Sequence, residues 1–77
     1  MYERIRNLRE DKDLAQRDIA ATLNISQTTY SRYETGVLDI PSVSLIKLAD
    51  FHETSIDYIV GLTNEMKPYP RKMKKTP

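Results

Sequence analysis

The chain has 77 residues, of which 12 are Lys or Arg and 11 are Asp or Glu, giving a formal net charge of +1. That length supports one domain with a small core and modest stability. With no cysteine and one histidine, disulfides, thiolate metal sites and histidine clusters are excluded, and no apolar run approaches the ~20 residues of a membrane span.

Charge is unevenly placed. Residues 67–77 carry Lys67, Arg71, Lys72, Lys74 and Lys75 and no acid, so the first 66 residues are net acidic. A nucleic-acid footprint must therefore come from local placement of bases or from this tail. Glu3, Arg4 and Arg6 interrupt any signal-peptide pattern at the start, and a cytoplasmic location is the expectation.

In chain order, Tyr2 to about Lys12 reads as a first helix. Ile5 and Leu8 face the core, and Tyr2 extends their stripe. Glu3, Arg4, Arg6, Glu10 and Asp11 form a solvated face. Asp13 ends the helix, because Asp tolerates the left-handed region better than most residues, and Leu14 plugs the corner. A second helix runs from about Gln16 to Leu23, with Ile19, Ala20 and Leu23 on one face. Ala15 is a poor cap for it. Asn24 supplies a left-handed stop, and Ile25 points inward. Ser26 is a strong N-cap for a third helix, Gln27 to about Thr35, which Gly36 terminates. Tyr30 and Tyr33 face one way on this helix; Gln27, Thr28, Ser31 and Arg32 face elsewhere.

Residues 37–41 form a loop. Ser42 is the expected cap of a fourth helix, Val43 to His52, with Leu45, Leu48, Ala49 and His52 inward. There a protonated His52 ring would be favoured by the helix dipole. Ser55 caps a fifth helix, Ile56 to Val60, stopped by Gly61. Pro68, Pro70 and Pro77 forbid a continuous helix beyond, and the lysines repel one another. The chain thus divides into a helical domain, 1–64, and a basic tail, 65–77, expected to be disordered beyond about Glu65.

The second and third helices, separated by a three-residue break, have the spacing of a helix-turn-helix, whose second helix enters the DNA major groove. Gln27 suits an adenine edge and Arg32 a guanine edge, each through two hydrogen bonds, and Thr28 offers a hydroxyl and a methyl. The solvated face of any surface helix carries the same residue types, so this face alone favours the plainer reading of a solvated helix. No catalytic constellation is present: there is no Gly-rich phosphate loop, and Asp11, Asp13 and Asp18 lie on separate solvated faces. No cofactor, metal or small-molecule ligand is expected.

Residues 14–20 (Leu-Ala-Gln-Arg-Asp-Ile-Ala), residues 25–36 (Ile-Ser-Gln-Thr-Thr-Tyr-Ser-Arg-Tyr-Glu-Thr-Gly) and residues 45–51 (Leu-Ile-Lys-Leu-Ala-Asp-Phe) resemble the Cro/phage-repressor (Xre-like) helix-turn-helix family. Residues 55–61 resemble its last helix. The resemblance covers residues 2–62 and implies an all-α, compact five-helix domain that binds double-stranded operator DNA as a dimer on inverted repeats. It assigns base contacts to Ser26, Gln27, Thr28 and Arg32. Phosphate contacts fall to Gln16, with Arg17 beside it, and to Tyr33, half buried, and Thr35; Gln16 also braces Gln27. It further implies that Tyr30 is core and that Arg9 and Glu34 form a salt bridge tying the first helix to the end of the third.

Three departures stand out, the mildest being Asp13 and Asn24 at the family's usual left-handed glycine positions. The loop after Gly36 carries Asp39 where the family often has Lys or Arg, which predicts weak nonspecific DNA binding. His52 stands where the family usually has Phe or Leu. Ile56, Tyr58, Ile59, Val60 and Leu62 exceed the needs of a five-residue helix, and a homodimer interface is expected among them. The leading expectation is a sequence-specific transcriptional regulator acting as a repressor. The alternative is a protein-interaction module, such as an antitoxin-like or anti-repressor partner, which the acidic folded part would also suit.

Overall fold

In the computed structural model, which describes residues 2–68, five helices follow one another: α1 (Glu3–Asp11), α2 (Gln16–Leu23), α3 (Gln27–Thr35), α4 (Ser42–Phe51) and α5 (Ile56–Val60). No strand occurs among the described residues. The all-α five-helix expectation is met. α2 packs against α3, α1 lies against both α3 and α5, and α4 joins α5 and touches α2.

The core is built from one side chain stripe per helix. Ile5 and Leu8 of α1, Ile19, Ala20 and Leu23 of α2, Tyr30 and Tyr33 of α3, Leu48 and Ala49 of α4, and Ile59 of α5 are all buried, with Ile40 from the loop. Burying a side chain of this size contributes roughly 1.5–3 kcal/mol, so a handful of them sustains a domain this small. Tyr30 and Tyr33 meet edge to face, with ring centroids 6.4 Å apart, at the base of α3.

Three helix exits use left-handed residues without glycine: Asp13 (φ 57°), Asn24 (φ 61°) and Glu53 (φ 56°). The first two are the stops expected from sequence. Glu53, in the turn between α4 and α5, was not anticipated, because Glu has no special tolerance for this region. At the start of α2 the weak Ala15 cap is offset by Asp18, whose carboxylate accepts the Ala15 N–H at 2.8 Å. Ser26 and Ser55 each accept a backbone N–H from three residues on, capping α3 and α5.

Five expectations need correction. Ser42 is the first residue of α4 and not its cap; Pro41 holds the cap position without a side-chain hydrogen bond. Ile59 is 1 % exposed and belongs to the core, so it cannot contribute to a contact face. Tyr33 is buried rather than half buried. His52 is fully enclosed, and neither ring nitrogen finds a partner among the described residues. Burial first, and the Lys12 charge second, push its pKa down to about 4, so the ring is neutral near pH 7 and the helix dipole does not keep it protonated. Arg4, read as part of a solvated face, is half buried and bonded both to Tyr58 of α5 and to the chain that follows it.

That following chain is tied to the fold as far as Met66, whose carbonyl accepts the hydroxyl of the buried Thr54. Of the basic tail, Lys67 is described and exposed. Arg71, Lys72, Lys74 and Lys75 lie outside the described residues. Among the described residues no helix is long and apolar enough to cross a membrane.

Candidate nucleic-acid interface

The turn between α2 and α3 is fixed by backbone geometry. The Ile25 N–H reaches back to the Ala20 carbonyl at 3.0 Å and the Asn24 N–H to Ala21 at 3.1 Å, closing the left-handed exit of α2. Ser26 then opens α3: its hydroxyl accepts the Thr29 N–H at 3.1 Å and meets the Thr29 hydroxyl at 3.0 Å. Two short helices are thereby locked at a set angle, with Tyr30 and Tyr33 inward.

The outward face of this unit brings together residues from both helices. Gln16, at the first position of α2, and Gln27, Thr28, Ser31 and Arg32 of α3 line one shallow recess of about 320 Å³. Gln27, Thr28 and Arg32 are exposed, and Ser31 and Gln16 are half buried. The side chains of Gln27, Thr28 and Arg32 make no hydrogen bond to the described residues, so their donors and acceptors stay available for a partner.

Beneath the recess lies a buried polar network. Arg9 of α1 grips Glu34 of α3 with two nitrogens, Nε at 2.7 Å and Nη2 at 3.1 Å, and donates Nη1 to the Leu14 carbonyl at 2.9 Å. Gln16 donates its amide Nε2 to the same carboxylate at 3.1 Å. The Arg9 and Glu34 side chains are only 13 % and 4 % exposed, so this pair is screened from solvent. Burial alone would raise the Glu34 carboxyl, but the hydrogen bonds from Arg9 and Gln16, with the Arg9 charge, outweigh it and hold the group below its ordinary value. Pairing with Glu34 raises Arg9 in turn. The buried Tyr30 hydroxyl sits beside this pair without a partner at hydrogen-bond geometry, and burial, followed by the Glu34 carboxylate, pushes its pKa upward.

An ionised carboxylate only accepts hydrogen bonds, so Glu34 dictates which end of the Gln16 amide faces inward. Nε2 points into the protein. One N–H and the amide oxygen remain for other partners.

The other residues singled out from sequence are placed as follows. Ser26 is exposed, but its hydroxyl is engaged in the cap. Arg17 is exposed beside Gln16. Thr35 is exposed at the end of α3, with its hydroxyl donating to the Arg32 carbonyl at 3.3 Å. Tyr33 lies in the core. Ser31 was not singled out, although its position one turn after Gln27 already puts it on the same face. In the loop beyond α3, Val37 and Leu38 are exposed, as is Asp39.

A helix-turn-helix family model matches residues 5–59, the span that holds both helices, the network beneath them and the core of α4 and α5. The chain belongs to the helix-turn-helix family. Curated relatives agree. An uncharacterized HTH-type transcriptional regulator of Bacillus subtilis, YobD, is 35 % identical over 69 residues, covering 88 % of this chain and 62 % of the relative. The cryptic phage CTXphi transcriptional repressor RstR of Vibrio cholerae is 36 % identical over 76 residues, covering 95 % and 67 %. The HTH-type transcriptional regulator ImmR of Bacillus subtilis is 30 % identical over 59 residues, covering 77 % and 46 %. The chain thus spans about half to two thirds of the length of these relatives. No solved structure matches it. The resemblance to the Cro/phage-repressor type of DNA-binding helix-turn-helix domain, read from four motifs in order, is met by these matches.

Proposed function

We propose that this domain reads a specific operator by laying α3 in the major groove, as one half of a dimer on an inverted repeat, and that it represses by occupying a promoter. The observation that carries this reading is the free polar edge of α3, Gln27, Thr28 and Arg32, standing over a braced three-helix platform. RstR is named a transcriptional repressor, which favours repression as the sign of regulation here.

Roles follow from chemistry and position. Gln27 pairs with an adenine edge and Arg32 with a guanine edge, each bidentate, while Thr28 and Ser31 fill the space between them. Gln27 and Arg32 are five positions apart, ~7.5 Å along the helix axis. That distance is roughly two base-pair steps of ~3.4 Å, so each half-site carries an A·T pair and a G·C pair two to three steps apart. The second N–H of Gln16 reaches a phosphate, and its amide oxygen braces the Gln27 amide. Arg17 adds a phosphate contact. Thr35 adds one at the C-terminal end of α3, where its exposure leaves the hydroxyl oxygen free to approach the backbone. Ser26 serves the cap first and contacts a base only through its remaining lone pair. Tyr33 reaches the sugar-phosphate backbone by its hydroxyl alone, since its ring is core.

A dimer would set two α3 helices about one DNA turn apart, ~34 Å. Of the residues expected at the dimer contact, Val60 and Leu62 are exposed and Ile56 and Tyr58 half buried, so the face lies at the end of α5.

Selection from a random duplex pool tests DNA binding, spacing and symmetry together. A two-fold symmetric consensus is expected. On that consensus, Gln27→Ala and Arg32→Ala should each cost about 1–3 kcal/mol and relax preference at one position per half-site. No enriched sequence, or a consensus indifferent to both substitutions, refutes the groove assignment and leaves the protein-interaction module as the better reading.

A further inference from the structure

Acids and bases part company at one point of the chain, and the last described tie to the fold stands beside it. All 11 acids lie at or before Glu65, with seven of the 12 bases; residues 67–77 hold the other five, Lys67, Arg71, Lys72, Lys74 and Lys75. Glu65 closes the acidic part by accepting the Lys67 N–H at 3.2 Å. Just before it, Arg4 of α1 donates to the Thr63 carbonyl and to Asn64 Oδ1. The fully buried Thr54 donates its hydroxyl to the Met66 carbonyl.

Within the folded part most bases are already engaged. Arg9 is held by Glu34, Arg6 pairs with Glu10 at 3.1 Å, Arg4 is tied as above, and Lys12 lies over the Phe51 ring. That leaves Arg17 and Arg32 on the candidate DNA edge and Lys47 on α4. Asp18, next to Arg17, and Asp39, in the loop after α3, are exposed as well, so these two helices and their loop carry little net charge. A duplex presents one negative charge per ~1.7 Å, and a protein that grips it neutralises several phosphates with Lys or Arg. The helix-turn-helix has groups that suit base edges but lacks that complement of charge. The run from Lys67 to Lys75 has it, with no acid to offset it.

We infer that residues 67–75 are a second DNA-contacting element, in which Lys67, Arg71, Lys72, Lys74 and Lys75 neutralise phosphates of the duplex that α3 reads, from a root fixed at Met66. The inference rests on the DNA reading above and adds a contact that carries no sequence information, since phosphates carry none. Reach permits it. α1 lies against both α5 and α3, and packed helix axes are 8–10 Å apart, so α5 stands within ~20 Å of α3. Nine residues span up to ~30 Å. Fixing the root at Met66 keeps all five bases within that radius of the fold. Once α3 is docked, their encounter with phosphate is therefore intramolecular and takes place at high effective concentration.

The test is fluorescence anisotropy of the full chain from 50 to 200 mM salt, on the selected consensus and on a scrambled duplex; if selection yields no consensus, two unrelated duplexes serve. Each phosphate contact adds about 0.9 to the steepness of log affinity against log salt. Replacing Arg71, Lys72, Lys74 and Lys75 together by Gln should make that slope shallower by about 3–4, so the advantage of the wild type over the variant should shrink roughly a hundredfold across this range. The ratio of consensus to scrambled affinity should hold within about twofold. Two matched pairs separate contact from net charge. Lys74→Gln with Lys75→Gln should make the slope shallower by about two, whereas Lys12→Gln with Lys47→Gln, an equal change of charge on the fold, should leave it unmoved. Equal effects of the two pairs reduce the run to bulk charge and overturn the inference. A wild type that prefers the consensus and keeps its slope in the fourfold variant overturns it too, while the groove reading stands. Consensus preference lost in the fourfold variant refutes a role confined to phosphate. A slope that shifts as expected without preference for any sequence keeps the contact and removes the groove reading. No binding to either duplex at 50 mM salt overturns both.

Discussion

Enclosure of His52 makes stability fall with acid over a window set by this one side chain. The folded ring protonates only near pH 4, whereas an unfolded histidine does so near its ordinary value of 6.5. Between those values the unfolded chain binds more protons than the folded one, so unfolding free energy rises with pH. The contribution is intact above the unfolded value and is lost as pH falls toward the folded one. Taking the two values through the linkage relation, the domain should lose about 2 kcal/mol between about pH 7 and about pH 5. That is a large share of what a 77-residue domain can hold. Few carboxylates titrate in the upper part of this range, and the Glu34 carboxyl, held low by its partners, contributes only in stronger acid. The assay is urea unfolding followed by circular dichroism at several pH values, on the wild type and on His52→Leu. Leucine nearly matches the imidazole in volume and has no nitrogens to leave without partners, so the variant should be about 1–2 kcal/mol more stable near pH 7. Its stability should also be nearly flat across the window. A wild-type slope that His52→Leu leaves unchanged, or a ring proton that titrates near 6.5 in the folded protein, refutes the reasoning.

Other outcomes follow from the same contacts. Glu34→Ala strands the buried Arg9 charge and should destabilise by about 3–5 kcal/mol in denaturant titration; Arg9→Met with Glu34→Leu together should recover most of that loss. Glu53→Gly removes a left-handed strain that glycine does not feel and should raise the unfolding free energy, read from denaturant titration, by ~0.5 kcal/mol once the greater freedom of the unfolded chain is set against it. Arg17→Ala should weaken all duplexes alike and reduce the slope of log affinity against log salt by about one, measured by fluorescence anisotropy.

Much of the fold was legible because each boundary carried its own local chemistry. Asn24, Ser26, Gly36, Ser55 and Gly61 punctuate the chain at positions where only a left-handed or capping residue serves, and the apolar stripes between them have one period. What was not legible depends on neighbours distant in sequence. Arg4 looks like any helix-surface arginine until α5 returns beside α1 and brings the Tyr58 carbonyl within reach of its guanidinium. Ile59 and Val60 are adjacent apolar residues on a five-residue helix, and only the packed partner decides that one is core and the other exposed. His52 lies on the inward face by periodicity, but its lack of hydrogen-bond partners is a property of the surrounding side chains. Of the interface, the identities of Gln27, Thr28 and Arg32 and their common face were readable. The engagement of the Ser26 hydroxyl in the cap and of the Gln16 amide with Glu34 was not, since both turn on which atoms lie within bonding distance.

The buried network also bears on how a domain with few surface bases can hold a recognition helix still. Arg9, Glu34 and Gln16 come from α1, α3 and α2, so one carboxylate fixes the mutual angle of three helices and the orientation of an interface amide at once. Such a pair adds little net stability over apolar residues of the same size. Its distinctive effect is directional: an apolar substitute would fill the space but would let the Gln16 amide turn either end toward the duplex. A flipped amide would present its oxygen to phosphate, acceptor against acceptor. With Asp39 in the loop after α3 and only Arg17 and Arg32 exposed as bases along α2 and α3, these elements offer little long-range attraction to a duplex. On the proposed reading, what these elements contribute comes from short-range hydrogen bonds aimed before DNA arrives, and Glu34 does that aiming for the Gln16 amide from beneath.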